Sequence, residues 1–421
     1  METSKRTFVL SYLTPLLIAA LSTAAYAQPG QLDSSFGTGG MVQLAGASGV
    51  AKIVEQSNDG ILVATPTAEI FQLESNGALN TGFGTQGSVT FTDAGDAVGV
   101  NDMQIQSDGK ILLLGEVTIA NCTNCRPVTF QHHGVVARFN TNGTLDTSFG
   151  TGGQVALTPL GSTTSEDLPS ALLVQSDGKI LIADALPPAA GSGSTSSVVS
   201  VLRFTASGTA DATFGTHGAA TAPGVDQAFA LALEGSGKIL AYGAKIVRLL
   251  PNGTVDTSTT PGTVVASTGS PAAIQPNEDY VISLAQTSLA SFQVSRFTFP
   301  NEASDGTFSM PQISYDGEAA DTFSQCSLVA LQPSGDIIAA GRLEVQTGER
   351  TFDTSIGLAR ILSDGDLDTS FGTNGVVTTS FGGTSGDATA MTVQSDSNIL
   401  VGGPTSNSGG AVVAVLRYLS N

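Results

Sequence analysis

The chain has no tryptophan, only six tyrosines, three cysteines and three histidines, and 16 basic residues against 36 acidic ones. Sugar sites and quinone-cofactor sites commonly rest on a large aromatic platform, so the missing tryptophan counts against both. A formal charge of −20 repels a nucleic-acid duplex or an anionic membrane surface, which counts against those partners. No apolar run beyond the N-terminal stretch reaches the length of a membrane span. The sequence holds no Gly-x-Ser-x-Gly elbow, no His-Glu-x-x-His and no phosphate-binding glycine loop opening a helix. What it does hold is 421 residues, 41% of them hydrophobic and only 12% charged, enough to bury a substantial core and too apolar for a disordered acidic tail. Fifty glycines and 17 prolines point to many tight turns and few long helices.

The first 27 residues read as a secretory signal peptide. Lys5 and Arg6 supply a basic start, residues 8–21 are mostly apolar, and Ala25-Tyr26-Ala27 supplies the small residues of a cleavage site before Gln28. Thr14 and Pro15 break the apolar stretch, which is too short for a membrane anchor. No cysteine precedes Cys122, so a lipid anchor directly after the leader is excluded. The expected destination is the periplasm or the cell exterior. Loss of Glu2, Lys5 and Arg6 would leave a mature charge near −21.

Downstream of the leader the chain repeats itself. One motif reads Gln106-Ser-Asp-Gly-Lys-Ile-Leu, and it returns at Gln175 and Glu234, with weaker copies at Gln56, Gln275, Gln332 and Gln394. A second, Leu-Asp-x-Ser-Phe-Gly-x-x-Gly, stands at Leu32, Leu145 and Leu367, with degenerate versions at Leu79, Ala210, Val255 and around Asp305. Each unit predicts four short strands. Alternating apolar residues such as Met103 and Ile105 precede the first motif, a Ser-Asp-Gly turn follows, and an Asn-Gly or similar turn leads from the third strand through the Leu-Asp motif to the fourth. The expected fold is all-β, a seven-bladed β-propeller of four-stranded antiparallel blades over residues 28–421. The termini sharpen this. Arg417-Tyr-Leu-Ser-Asn421 matches Arg138-Phe-Asn-Thr-Asn142, and Gly30-Gln-Leu-Asp33 matches Gly143-Thr-Leu-Asp146. They are complementary halves of one turn, so residues 28–45 are expected to supply the outer strand of the last blade and to cover a sheet edge. Residues 30–421 number 392, seven units of 56.

These motifs resemble the bacterial delta-60 repeat propellers, whose units read Gln-x-Asp-Gly-Lys-Ile followed by Leu-Asp-x-Ser-Phe-Gly-x-x-Gly. The resemblance runs over the whole chain after the leader, and the unit at 275–310 departs from it most. It implies a propeller and an exported compartment, and it implies no reaction.

The repeat also separates what builds a blade from what is peculiar to one. Arg138, Arg203, Arg248 and Arg360 each precede an acid by eight positions, at Asp146, Asp211, Asp256 and Asp368; Arg417 reaches Asp33 across the split turn, and Arg296 has Asp305 nine positions on. In the first unit both members change together, to Gln72 and Asn80. We expect hairpin partners, since either charge alone would be awkward to bury. Calcium-binding aspartates are the alternative, and each offers few nearby oxygens. Phe36, Phe83, Phe149, Phe214, Phe308 and Phe371 are expected to pack between blades. Lys110, Lys179 and Lys238 lie at turns and are expected to be solvated.

Function is to be sought in the departures. The connections between second and third strands and between blades vary most, at residues 116–134, 184–197, 342–356 and 316–325, and a variable rim around a channel mouth is the default binding surface. The first of these carries Cys122, Cys125, His132 and His133, which admit a local disulfide, a zinc site or free thiols. Cys326, expected just before the first strand of the sixth blade, reads as a buried thiol. Arg342, Glu344, Glu349, Arg350 and Asp353 read as a solvated mixed-charge loop. Glu166 with Asp167, and Glu318 with Asp321, are the acids that would line the mouth. No catalytic, cofactor-binding or metal-ligating residue is assigned, and no cofactor is implied. The expected activity is that of a monomeric scaffold or binding module for an extracellular protein or polymer. An extracellular hydrolase or lyase with its site at the channel mouth is the alternative.

Overall fold

The computed structural model describes residues 28–120, 130–157, 168–186, 198–222, 228–243, 246–258, 272–274, 280–288, 291–298, 322–348, 351–380, 386–407 and 410–421. The leader, Cys122, Cys125, Glu166, Asp167, Asp305, Phe308, Glu318 and Asp321 lie outside them. The described residues form strands and no helix, so none could cross a membrane as a helix.

Strand β1 (Met41–Leu44) comes first, followed by seven antiparallel sheets in chain order. The first sheet is β2 (Lys52–Glu55), β3 (Ile61–Ala64), β4 (Glu69–Leu73) and β5 (Ser88–Thr90). The second is β6 (Thr92–Asp93), β7 (Asp96–Ile105), β8 (Ile111–Ala120), β9 (Phe130–Phe139) and β10 (Gln154–Leu157); the third is β11 (Leu168–Val174), β12 (Ile180–Leu186), β13 (Val198–Phe204) and β14 (Ala219–Ala222). Three described strands make the fourth, β15 (Ala228–Leu233), β16 (Ile239–Gly243) and β17 (Ile246–Leu249), and three make the fifth, β18 (Ala272–Ile274), β19 (Tyr280–Ser288) and β20 (Ser291–Thr298). The sixth is β21 (Thr322–Leu331), β22 (Ile337–Gly348), β23 (Thr351–Ile361) and β24 (Val376–Thr379). In the seventh, β25 (Ala390–Val393), β26 (Ile399–Asn407) and β27 (Gly410–Tyr418) are completed by β1, with Met41 opposite Leu416 and Leu44 opposite Val413.

The first strands of successive sheets touch in turn: β2 meets β7, β7 meets β11, β11 meets β15, β15 meets β18, β18 meets β21, β21 meets β25, and β25 meets β2. The core lies between sheets. Ile70 and Phe83 of the first pack with Met103 and Leu113 of the second, and Leu112 of the second packs with Leu172 and Ile182 of the third. Ile338 and Leu358 of the sixth pack with Val401 and Leu416 of the seventh. Two-faced burial explains apolar runs in the second strands such as Ile61-Leu-Val-Ala64 and Ile111-Leu-Leu-Leu114. A side chain such as Phe149, 1% exposed, contributes about 2–3 kcal/mol on burial.

Glycine is required where the repeat turns. Gly109 sits at φ +82° in the hairpin between β7 and β8, a conformation that L side chains avoid. Gly215 of the second motif, at φ +51°, is packed so closely that a Cβ would lie 1.9 Å from the Ala219 carbonyl oxygen.

Several expected loops are strands. Residues 116–120 and 130–134 belong to β8 and β9, Asp184 to β12, and most of 342–356 to β22 and β23. The mixed-charge stretch alternates, Arg342-Leu-Glu-Val345, as a strand does, and Leu343 is fully buried. Cys326 likewise lies inside β21 and does not precede it.

Candidate functional site

Each well-preserved repeat builds one polar cluster at the junction with the next sheet. In the second sheet the carboxylate of Asp146 accepts from Arg138 Nε at 2.9 Å, from the Ser148 hydroxyl at 2.6 Å and from the Ser148 amide at 3.1 Å. The guanidinium lies 4.6 Å from the centre of the Phe149 ring, and its Nη1 donates to the Ala206 carbonyl of the third sheet. Arg203 repeats the arrangement with Asp211, Phe214 and the Pro251 carbonyl at 2.6 Å; Arg360 does so with Asp368, Phe371 and the Ser420 carbonyl at 2.6 Å. Arg248 pairs with Asp256 at 2.9 Å, and Arg296 donates to the Ser363 carbonyl. Arg417 pairs with Asp33 at the opposite end of the chain, stacks on Phe36 and donates to the Ser75 carbonyl of the first sheet.

A backbone bond runs beside several of these. Gly150 N donates to Ser207 O, Gly215 N to Asn252 O, Gly37 N to Asn76 O and Gly372 N to Pro29 O, each from one sheet to the turn of its neighbour. The eight-residue pairs and the burial of the phenylalanines follow the sequence reading. The lysines do not: Lys110 and Lys238 reach Asp146 and Asp256 at 2.9 Å, and Lys179 reaches Asp211 at 3.5 Å. A flexible stem lets the ammonium fold back from the turn onto a carboxylate already facing an arginine. The carboxylates are held strongly acidic. The Ser148 hydroxyl, then Lys110, outweigh burial in lowering Asp146, and the Thr213 hydroxyl lowers Asp211 to about 2. In Asp33 and Asp368 burial pushes upward, and the bonds from Ser35 and Ser370 and the arginines overcome it.

The first sheet departs from this cluster at every charged position. Gln72 replaces the arginine, Asn80 the aspartate and Gly60 the lysine. Asn80 Nδ2 donates to Gln72 Oε1 at 2.7 Å and Gln72 Nε2 to Gln56 Oε1 at 2.6 Å. A cavity of about 450 Å³ opens beside them, toward Asp108 and Thr141 of the second sheet.

A second departure sits on the first strands. Lys52 and Asp102 occupy the position four residues before the motif glutamine, where other sheets carry Ala171, Ala230, Leu328 and Ala390. Lys52 Nζ lies 2.7 Å from Asp102, whose other oxygen accepts the Leu172 amide at 2.9 Å, so one buried carboxylate fastens three successive first strands. Comparing the repeats position by position would have exposed this pair. On the long hairpin of the second sheet, Glu116 bonds His132 Nδ1, and Thr118 lies 3.4 Å from the same atom. His132 and His133 are adjacent on β9 and leave opposite faces of the strand, which separates two of the four groups considered for zinc. Among the described residues no three His, Cys, Asp or Glu side chains gather as a metal site. Burial raises the Cys326 thiol well above its usual range, so it is held as the unreactive thiol. Burial also raises Asp387, against the pull of Arg342.

Residues 131–149 and 332–371 match the model of a family described as a domain of unknown function (DUF5122) beta-propeller. Solved structures similar to the chain include two of the extracellular domain of one B. thetaiotaomicron protein, described once as a one component system and once as a hybrid two component system. They share 11% and 12% identity with this chain at a TM-score of 0.42 and cover 90% of it, and the chain spans 40% of the length of each. No curated protein matches the chain. The antiparallel sheets and the family match together make this a β-propeller domain.

Proposed function

We propose that the chain is an exported seven-bladed propeller, closed by its own N-terminal strand, that works as a binding scaffold through the face carrying its long hairpins. The cyclic order of first-strand contacts, the pairing of β1 with β27 and the split Arg417–Asp33 pair support the closed ring. The basic start, apolar stretch and Ala-Tyr-Ala of the leader support export.

The observation that carries the binding reading is the contrast between hairpins at one end of the sheets. β3 and β4 are joined through residues 65–68 and are four and five residues long, whereas β22 and β23 run to 12 and 11, and β8 and β9 to 10 each. By strand parity all these connections fall on one face, and the regular glycine turns fall on the other. Variation on one face of a rigid repeat is where a partner is selected. The repeat carboxylates at the opposite ends of the sheets, such as Asp146 and Asp211, are engaged by arginine, hydroxyl and amide donors and so belong to the scaffold itself.

The test uses mature protein from its own export compartment. N-terminal sequencing should begin at Gln28, and native mass spectrometry should give a monomer. Chemical crosslinking in that compartment should join a partner to wild type and to a turn-face variant such as Asp177→Ser. It should lose that partner when residues 345–353 are replaced by a two-residue turn. Equal crosslinking by the trimmed protein would overturn the assignment of the face.

A further inference from the structure

We infer that the cavity between the first and second blades is a socket for a guanidinium group brought by another molecule, an arginine side chain of a partner polypeptide. The inference rests on comparison of equivalent junctions within this one chain. At five other junctions an arginine of one sheet donates to the backbone carbonyl of the neighbouring turn: Ala206, Pro251, Ser363, Ser420 and Ser75. The equivalent carbonyl after the first sheet is that of Thr141. Thr141 lines the cavity, and no guanidinium stands among the lining residues, because the arginine position is Gln72.

The junction between the seventh and first sheets provides the control. Equivalent residues, Gln394, Ser395, Asp396, Ser75 and Arg417 among them, line a cavity there too, of about 360 Å³, and its lining Arg417 donates to the Ser75 carbonyl. After the first sheet the cavity grows to about 450 Å³ and none of its lining residues is cationic. The glutamine amide stops where an arginine would carry its Cζ and two terminal nitrogens. Gly60 removes the lysine that approaches the same place in the second, third and fourth sheets.

What remains around the space is a set of acceptors. Thr141, Gln56 and Gln72 line it, the two glutamine oxygens each accepting one hydrogen bond and keeping a second lone pair, with two carboxylates among the lining residues. One is Asp108, whose nearest cation is Lys110 at 3.8 Å. The other is Glu74, at a turn position held elsewhere by Asn140, Thr205, Leu250, Leu362 and Leu419. The first sheet has thus given up its buried acid at Asn80 and acquired an exposed one at the mouth. A planar fork of N–H donors meets this set of acceptors as a point charge would not.

The inference is independent of the long-hairpin face, since a partner held only there would never touch this site. The probe is Nα-acetyl-arginine methylamide, titrated calorimetrically against the mature protein, with the citrulline analogue as its neutral isostere. Saturable binding of the arginine probe is expected, about tenfold or more tighter than the citrulline probe. Gln72→Arg with Asn80→Asp supplies the socket's own guanidinium as in the other sheets, and it should weaken probe binding at least about tenfold while keeping a cooperative melt. Should that double variant fail to fold, Glu74→Gln, on an exposed side chain, should still weaken binding severalfold. Equal affinity for arginine and citrulline probes, no saturable binding of either, or undiminished binding by the folded variants would overturn the inference.

Discussion

The junction after the second sheet and the junction after the first use the same spacing of partners and settle the question of charge in opposite ways. After the second sheet, Arg138 and Asp146 bury an ion pair, each less than 10% exposed, and close it with a hydroxyl, an amide, a lysine and a carbonyl. After the first, Gln72 and Asn80 pair two amides through one hydrogen bond, and a cavity opens beside them. The backbone is indifferent to the exchange: Asp146 N donates to Arg138 O and Asn80 N to Gln72 O, both at 2.8 Å. The strand and turn therefore do not need the charge. What needs charge is charge, because a lone arginine or a lone aspartate in that position would stay desolvated without a counterpart. The pair must change together, and in the first sheet it has.

The comparison can be broken most severely at the seventh sheet, where the two members come from opposite ends of the chain. Removing residues 28–45 would take β1 from β27 and Asp33 from Arg417, and it would uncover the edge of β27. We expect a loss of more than about 5 kcal/mol, read as the disappearance of a single cooperative melt. A truncated protein that melts like wild type would refute the proposed closure.

Next in size comes a direct contrast. Asp146→Ala should destabilise by about 3–5 kcal/mol because it leaves Arg138 buried and unpaired, whereas Asn80→Ala, breaking only an amide bond, should lose about 1–2 kcal/mol. Urea denaturation of both variants checks this, and equal losses would mean that the charges contribute nothing special. Installing the first sheet's solution in the second, Arg138→Gln with Asp146→Asn, should lose less than Asp146→Ala alone. That non-additivity would be the signature of a coupled pair.

Acid sharpens the comparison further. Asp146 and Asp211 are depressed in the fold, Asp211 to about 2, so their contribution is complete above the ordinary carboxylate range near pH 4 and is lost as pH falls through the folded values. Stability should therefore decline from about pH 5 toward about pH 2, and the double substitution Arg138→Gln with Asp146→Asn should flatten that slope. The amide pair of the first sheet contributes nothing to it. An unchanged acid slope in the doubly substituted protein would assign the acid sensitivity to other carboxylates.

How much of this was readable beforehand depends on how far apart the partners lie along the chain. The Arg–Asp spacing was legible because the turn between them is short and constant, and the concerted Gln72–Asn80 change was legible for the same reason. The split turn at the termini showed itself because its halves match an intact copy. Contacts to backbone were invisible: nothing in the residue at Ala206 or Pro251 marks its carbonyl as an arginine's partner. The long hairpins are hidden by composition, since the charges of 342–345 suggest a loop while their alternation is itself the strand signal. The Lys52–Asp102 pair joins different repeats and emerges only when equivalent positions are set side by side.

The lysines are the smallest term, and the most informative about how the cluster is layered. Lys110 is partly exposed and shares Asp146 with a buried arginine that already neutralises it, so most of its attraction is screened by water. Lys110→Met should cost about 0.5–1 kcal/mol at low ionic strength and less in high salt, while Asp146→Ala should keep its effect in salt. The third sheet supplies an internal check, because Lys179 stands 3.5 Å from Asp211 where Lys110 stands 2.9 Å from Asp146. Lys179→Met should therefore have the smaller effect of the two. If both lysines matched the aspartate in size and salt resistance, the cluster would have to be treated as a three-charge unit, and the sheets that carry Asp336 or Asn398 at the lysine position would be predicted to be the weakest junctions.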